Sequence, residues 1–229
     1  MRVLLKNDII TLFRVGNWHD KNLFHELELY TKELKIFEEK YDNRILQQSG
    51  ESYFVKPNLY LLNDAESHLL AHTDLYKNPI MSVCLGSSLG FAISDRQGKI
   101  VKTLNGYNFD IGEMSLPTRA SNKAVWWALG KHGLSELQSN MGFENGTKHY
   151  GYRLGALLVS LCSIFRPKTI VLSGGITEKN WFLFKDNMLS EFNKTKPDWL
   201  DETQIKKSPF CDKAALIGMV KFIKNQSNK

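Results

Sequence analysis

Residues 58–98 read NLYLLNDAESHLLAHTDLYKNPIMSVCLGSSLGFAISDRQG, and this stretch decides the predicted fold. Two short apolar runs, at 59–62 and 80–85, predict strands, and the segment between them predicts a helix. Asp64 follows the first run, and a loop of glycine and serine at 86–90 follows the second. A third apolar run at 91–93 comes directly after that loop, so the second and third runs predict a β-hairpin with a glycine-rich turn.

The residue types at these two points suggest a chemistry. Glycine and serine at a tight turn allow backbone N–H groups to approach an anion closely. A carboxylate at a nearby strand end is a candidate general base for a hydroxyl group. Together they indicate phosphoryl transfer from a nucleotide to an alcohol. An ordinary hairpin turn beside a helix-capping aspartate would explain the same residues, and it is the downstream motifs that favour the first interpretation.

Composition narrows the protein class. The chain has 229 residues, enough for one large domain or two modest ones, and 42% of them are hydrophobic. The net charge is +6, and many of the lysines lie near the C-terminus, where they would suit an anionic ligand but where a solvated surface is the favoured interpretation. Without a zinc-finger or helix-turn-helix pattern we expect no nucleic-acid partner. Three cysteines in apolar contexts (Cys84, Cys162 and Cys211) predict reduced thiols and a cytoplasmic location. We expect no signal peptide, because polar residues interrupt the apolar run within 1–8. We expect no membrane span, because the most apolar segment, at 154–165, is shorter than the roughly 20 residues that a span needs.

Strand-like and helix-like patterns alternate along the chain, which predicts an α/β fold with a mixed sheet. A strand pair is expected within 1–16. Further strands are expected at 99–104, 169–172 and 204–207. Helices are expected from about 22, and at 119–131, 133–142, 148–165, 180–192 and 212–224.

Several motifs, taken in order, resemble those of the ROK sugar kinases, hexokinase-like members of the actin/Hsp70/hexokinase ATPase fold. They are Asn63-Asp64-Ala65, Leu85-Gly86-Ser87-Ser88-Leu89-Gly90, Gly112-Glu113, the loop from Gly130 to Glu136 with Ser139, Val171-Leu172-Ser173-Gly174-Gly175, and residues 208–219. No single motif decides the matter, whereas their shared order and spacing are a strong signal. The resemblance extends from about Asn58 to Ile223.

The resemblance implies roles for individual residues. Asp64 would be the base that activates the sugar hydroxyl, and ATP with Mg²⁺ would be the phosphoryl donor. The residues implied to bind the sugar are Asn63, Glu113 and Glu136, and those implied to bind the nucleotide are Gly86, Ser87, Ser88, Gly90, Gly174 and Gly175. Carboxylates are good acceptors for sugar hydroxyls, which agrees with these assignments. A surface carboxylate would explain either glutamate taken alone.

Two departures from the family pattern matter. Many relatives hold a structural zinc ion, but the aligned positions here are Leu116, Trp127, Leu129 and Leu134. No tetrahedral set of nitrogen and sulfur ligands exists among these four, so we predict no zinc and expect a hydrophobic cluster to brace the loop instead.

The second departure concerns the first phosphate loop. Kinases of this fold carry an Asp-x-Gly-x-Thr-like loop on a leading hairpin, and the residues before Asn58 contain no such motif. We therefore predict a ribonuclease-H-like, actin-like ATPase fold with a complete C-terminal lobe at 63–229 and a truncated N-terminal lobe at 1–62. The resemblance implies a homodimer or a second chain that supplies the missing segment.

Two functions compete at this point. One is an ATP-dependent kinase for a hexose or N-acetylhexosamine, incomplete without the missing segment. The other is a pseudokinase that binds a sugar or nucleotide, or another protein, without transferring phosphate. Retention of Asp64, Glu113 and Glu136 favours the kinase, whereas the missing loop and the Ser87-Ser88 pair favour the pseudokinase.

Overall fold

The structure is a computed structural model, and it describes residues 3–6, 9–13, 62–106, 108–114, 124–200, 202–210 and 213–227. The chain divides into two compact units, Met1–Asn63 with Leu104–Tyr107, and Asp64–Thr103 with Asn108–Lys229. The identity of these units as kinase lobes stays a prediction. In the described part of the first unit, β1 (Val3–Lys6) and β2 (Ile9–Phe13) form an antiparallel pair, which confirms the expected strand pair. The helix expected from about 22 lies outside the described residues, as does the strand expected at 59–62 apart from Leu62, which is not in a strand.

The second unit is built on a four-stranded mixed sheet in the order β4-β3-β5-β6. Its strands are β3 (Ile80–Leu85), β4 (Leu89–Ile93), β5 (Thr169–Ser173) and β6 (Gln204–Lys207). Its helices are α1 (Asp64–Leu70), α2 (Val125–Ala128), α3 (Lys131–Met141), α4 (Phe143–Phe165), α5 (Gly175–Thr195) and α6 (Ala214–Ser227). β4 is antiparallel to β3, whereas β3, β5 and β6 are parallel, so the predicted α/β fold with a mixed sheet is confirmed.

The parallel register decides where the loops meet. Cys84 of β3 lies opposite Ser173 of β5, so both strands end at the same edge of the sheet. Both central strands are almost entirely buried, which explains why each reads as a continuous apolar run. The loop after β3 and the turn after β5 therefore emerge side by side.

The helix pair α4 and α5 packs closely because glycines line the contact. A Cβ atom added at Gly151 would lie 2.4 Å from the carbonyl oxygen of Phe184, and one added at Gly155 would lie 2.5 Å from that of Met188. Tyr150 and Phe184 are fully buried beside this contact, with ring centroids 5.8 Å apart. In the part of the chain that the structure describes, no helix is long and apolar enough to cross a membrane.

Several predicted boundaries were wrong. No strand forms at 99–104, where the chain makes an isolated bridge between Ser94 and Ile100 and then leaves the edge of the sheet. Of the first predicted helix, residues 119–123 lie outside the described residues; within 124–130 the only helix is the single turn α2, and Gly130 separates it from α3. α4 begins at Phe143 rather than 148, and α5 begins at Gly175 rather than 180.

Candidate active site

Asp64 is the first residue of α1 and is exposed at the surface of its unit. Its Oδ1 accepts a hydrogen bond of 2.8 Å from the backbone N–H of Ala65, so the carboxylate also caps the helix. The tip of the hairpin lies against this helix start, since a Cβ atom added at Gly90 would be 3.3 Å from the Cβ atom of Ala65. The candidate base and the hairpin turn are therefore neighbours.

The loop between β3 and β4 is a tight turn in which the N–H of Gly86 donates to the carbonyl of Ser88 over 3.1 Å. The turn after β5 packs against the end of β3. Gly174 has φ +91°, and a Cβ atom there would lie 2.5 Å from the carbonyl oxygen of Leu85. Only glycine meets both demands. Gly175 then begins α5, and no atom lies within 4 Å of where its Cβ atom would be.

A third segment, at the start of α3, touches the same loop. The N–H of Lys131 donates to the carbonyl of Gly86 over 2.9 Å. A Cβ atom at Gly130 would lie 2.6 Å from the carbonyl oxygen of Ser87, so this position needs glycine for close approach. The structure thus gathers the predicted base and both glycine turns at one sheet edge, with the start of α3 beside them.

The predicted sugar-binding glutamates are less fully defined. Glu136 lies in α3 and is half-buried. Burial of the guanidinium lowers the pKa of Arg153, and the carboxylate of Glu136 raises that pKa by a smaller amount. Glu113 is the last residue of the 3-10 turn Ile111–Glu113, and its side chain lies outside the description. Asn63 is half-buried and directly precedes Asp64. The functional roles of all three stay predictions.

His68, one turn after Asp64, is a buried residue that sequence reasoning missed. Its Nδ1 lies 2.8 Å from the Oγ of Ser173, and its Nε2 lies 3.4 Å from the Sγ of Cys84. Burial lowers the pKa of His68, while the carboxylate of Asp64 raises it by less. Burial, helped by the same carboxylate, raises the pKa of Cys84 to about 12. The neutral imidazole therefore links α1 to the ends of both central strands.

Glu66, Lys102 and Asn108 form a second polar group that the sequence did not reveal. The ammonium of Lys102 donates to a carboxylate oxygen of Glu66 and to Oδ1 of Asn108. Glu66 lies two residues after Asp64, and Asn108 lies five residues before Glu113. The sequence held no signal for this group, because Glu66 stands among polar residues in DAESHLL and its burial appears only in the folded chain.

The positions at which relatives hold zinc ligands are apolar here. Leu129 and Leu134 are buried in the main core, and Trp127 packs against it; Leu116 lies outside the described residues. In addition, the buried hydroxyl of Tyr150 donates a 2.7 Å hydrogen bond to the carbonyl of Leu129, directly before Gly130. Apolar packing and this hydrogen bond therefore both brace the segment around Gly130. The prediction that the protein binds no zinc stays a prediction.

Comparison with known proteins agrees with the motif order. The family model described as the ROK family matches residues 133–226. A search of curated proteins finds no match. Among solved structures, a ROK family glucokinase from Streptomyces griseus in complex with glucose and AMPPNP is 15% identical, with a TM-score of 0.62, over 96% of this chain and 78% of that one.

Two further structures agree. A candidate N-acetylmannosamine kinase from Listeria monocytogenes is 18% identical with a TM-score of 0.64, over 96% of this chain and 77% of that one. A candidate sugar kinase from Cytophaga hutchinsonii is 19% identical with a TM-score of 0.62, over 71% of this chain. This chain spans only 64% of the Cytophaga protein's length. At these identities the structural likeness establishes the fold, which is that of the actin-like ATPase kinases. The resemblance to the ROK family is therefore confirmed, through the family model over residues 133–226 and through the fold that this chain shares with solved ROK sugar kinases.

Proposed function

We propose that this protein takes part in ATP-dependent phosphorylation of a hydroxyl group on a hexose or N-acetylhexosamine, with Asp64 as the general base. The observation that carries the proposal is that Ala65, directly after Asp64, lies against Gly90 of the hairpin, while Gly174 lies against the end of β3, so that the carboxylate and both glycine turns share one sheet edge. An exposed carboxylate at a helix start beside two tight glycine turns suits a hydroxyl acceptor and a phosphorylated donor.

The chain's own residues supply positioning and proton transfer. Asp64 would accept the proton of the sugar hydroxyl as that oxygen attacks the terminal phosphorus atom. Asn63, Glu113 and Glu136 would hold the other hydroxyls of the sugar and so fix which one faces the phosphate. Backbone N–H groups at Ser87, Ser88 and Gly90 would face the phosphate oxygens, whereas the N–H of Gly86 holds the turn by donating to the carbonyl of Ser88.

The residues present fit a nucleotide at the turn after β5. The space beside Gly175 is open, and the N-terminus of the 21-residue helix α5 begins there, which favours a negatively charged phosphate. Mg²⁺ would neutralise charge on the transferring phosphate. No group of three or more acidic, histidine or cysteine side chains in the described ranges could hold a metal ion, so Mg²⁺ would rest mainly on phosphate and water oxygens, as it commonly does.

We further propose that transfer requires a first phosphate loop contributed from outside these 229 residues. The sequence contains no Asp-x-Gly-x-Thr-like motif apart from Asp110-Ile111-Gly112, which lacks the threonine and belongs to the predicted sugar loop. A pseudokinase that binds sugar without transferring phosphate is the second candidate, and the same missing motif favours it.

Calorimetry with glucose, mannose, N-acetylglucosamine and N-acetylmannosamine tests the sugar site directly. We expect saturable binding of one of these sugars by the wild-type chain, with large losses of affinity in Glu113→Ala and Glu136→Ala. Asp64→Asn should keep most of the binding, because the amide preserves the shape and loses only the basicity. No binding of any of the four by a folded chain would refute the sugar site.

A second measurement separates the two candidates. Phosphate transfer from ATP is assayed with this chain alone and with candidate partner chains that carry the first phosphate loop. The kinase proposal expects transfer that Asp64→Asn reduces by roughly 10²–10⁴-fold, the usual contribution of a positioned base. Sugar binding without Mg²⁺-dependent transfer under these conditions would establish the pseudokinase.

A further inference from the structure

The ion pair between Lys102 and Glu66 is buried on one side. The side chain of Glu66 is 6% exposed, whereas that of Lys102 is 37% exposed. A carboxylate removed from water to this extent is costly unless a cation compensates it. Loss of Lys102 would therefore leave the buried charge of Glu66 uncompensated. Loss of Lys168 would not do this to Glu202, because both members of that pair are exposed.

Lys102 also holds the segment that leads to Glu113. Its ammonium donates to Oδ1 of Asn108, and this bond identifies Oδ1 as the acceptor of that amide. The other atom, Nδ2, is buried and has no hydrogen-bond partner. Across the described ranges, the side chain of Asn108 is thus anchored through Lys102. Three residues later, Ile111 enters the main core, which fixes the other end of the same segment.

The position of Lys102 in the fold explains why it can reach both partners. The N–H of Val101 donates to the carbonyl of Ile93 over 2.9 Å, so the chain at this point runs beside β4. β4 also packs against α1, whose first residues contact Gly90. Lys102 therefore stands between the helix that begins with Asp64 and the segment that ends in the turn containing Glu113.

We propose that Lys102 is a positioning residue that fixes the segment containing Glu113 relative to Asp64, so that both carboxylates reach one sugar molecule. The proposal rests on the proposed function, because it concerns the geometry of the same sugar site. Lys102 itself contacts neither phosphate nor sugar in this scheme. It acts through Glu66 on one side and through Asn108 on the other.

Four variants test the role of Lys102. Lys102→Met removes the link, and Lys102→Arg keeps a cation that can reach both oxygens. The double variant Glu66→Gln with Lys102→Met removes the link without leaving a buried unpaired charge. Lys168→Met breaks the exposed pair with Glu202 and serves as the matched control. Affinity for glucose, mannose, N-acetylglucosamine and N-acetylmannosamine is measured by calorimetry, and stability by urea unfolding.

The expected result separates positioning from a purely structural role. Lys102→Met should weaken sugar binding at least tenfold, while Lys102→Arg stays within threefold of the wild type and Lys168→Met is unchanged. The double variant should recover stability and still bind weakly, because Asn108 remains unanchored. If Lys102→Met does not fold, the arginine and double variants still decide the matter.

Two outcomes would overturn the inference. One is wild-type affinity in Lys102→Met, and the other is recovery of affinity together with stability in the double variant, which would show that Lys102 serves stability alone. If the wild-type chain itself binds none of the four sugars, the proposed function fails first and the positioning role fails with it.

Discussion

Gly218 in α6 is the position at which we expect a single added methyl group to be most damaging. A Cβ atom there would lie 1.7 Å from the carbonyl oxygen of Ser67 in α1, whereas real Cβ contacts essentially never fall below 3.0 Å. The obstacle is backbone, so a side-chain rotation cannot relieve it. Gly218→Ala therefore forces α6 away from α1 by about 1 Å or more, which is the kind of overpacking that costs roughly 1–3 kcal/mol.

A second contact would be lost with the same movement. The hydroxyl of Ser67 donates to the carbonyl of Ala215 one turn before Gly218, and such a bond contributes about 1 kcal/mol. Alanine has the better helix propensity, which returns about 1 kcal/mol. The hydrogen-bond loss and the propensity gain roughly cancel, so the net expectation is a loss of about 1–3 kcal/mol, a large share of the roughly 5–15 kcal/mol that stabilise a typical protein.

Urea unfolding followed by circular dichroism measures this loss of stability. Gly175→Ala is the matched control, because none of the described residues beyond its own helix and chain neighbours lies within 4 Å of the added methyl group, and we expect its free energy of unfolding to equal that of the wild type or exceed it by up to about 1 kcal/mol. A similar value for Gly218→Ala would refute the close packing of α1 on α6.

Three further predictions concern other parts of the fold. Tyr150→Phe removes the buried hydrogen bond to the carbonyl of Leu129 and should cost about 1–3 kcal/mol in urea unfolding, because that carbonyl is left without its partner; an unchanged stability would contradict the proposed brace. Burial lowers the pKa of His72 from 6.5 to about 4, so between these pH values the unfolded chain binds a proton that the folded chain does not. Stability should therefore fall by about 3 kcal/mol as the pH is lowered from 6.5 towards 4, and His72→Gln should flatten this dependence in urea unfolding measured across that range. Gly174→Ala must place a side chain at φ +91° and 2.5 Å from the carbonyl of Leu85, so we expect a loss of about 2–4 kcal/mol in unfolding and weaker ATP binding by calorimetry; wild-type values for both would be inconsistent with this turn.

The central strands and the glycine turns could be predicted because their signals are local. β3 and β5 are continuous apolar runs bounded by glycine, and both lie within a residue of where the sequence indicated them. The starts of α4 and α5 could not be predicted, since Gly142 and Gly174 precede them with positive φ and no side chain makes a capping hydrogen bond. A search for serine, threonine or aspartate caps therefore misses both helix starts.

The polar contacts around the candidate site could not be derived from sequence for a different reason. His68 meets Ser173 across 105 positions of the chain, and Glu66 meets Lys102 across 36. Neither partner is indicated by spacing or periodicity, because tertiary folding alone brings them together. The motifs identified Asp64 and the glycine turns, whereas the groups that hold α1 in place became visible only in the folded chain.

The packing of α1 on α6 also has a consequence for the order in which the protein forms during synthesis. Ser67 and Ala215 are 148 positions apart, so at roughly 5–20 residues per second the ribosome needs on the order of 10–30 s to make the second after the first. During that interval the face of α1 that receives Gly218 has no partner. β3 likewise waits for β5 before its central pairing can form. The helix that begins with Asp64 therefore gains its packing partner α6 late in synthesis. A nascent chain that already contains every predicted site residue up to Gly175 still lacks α6, which packs against the helix of its candidate base.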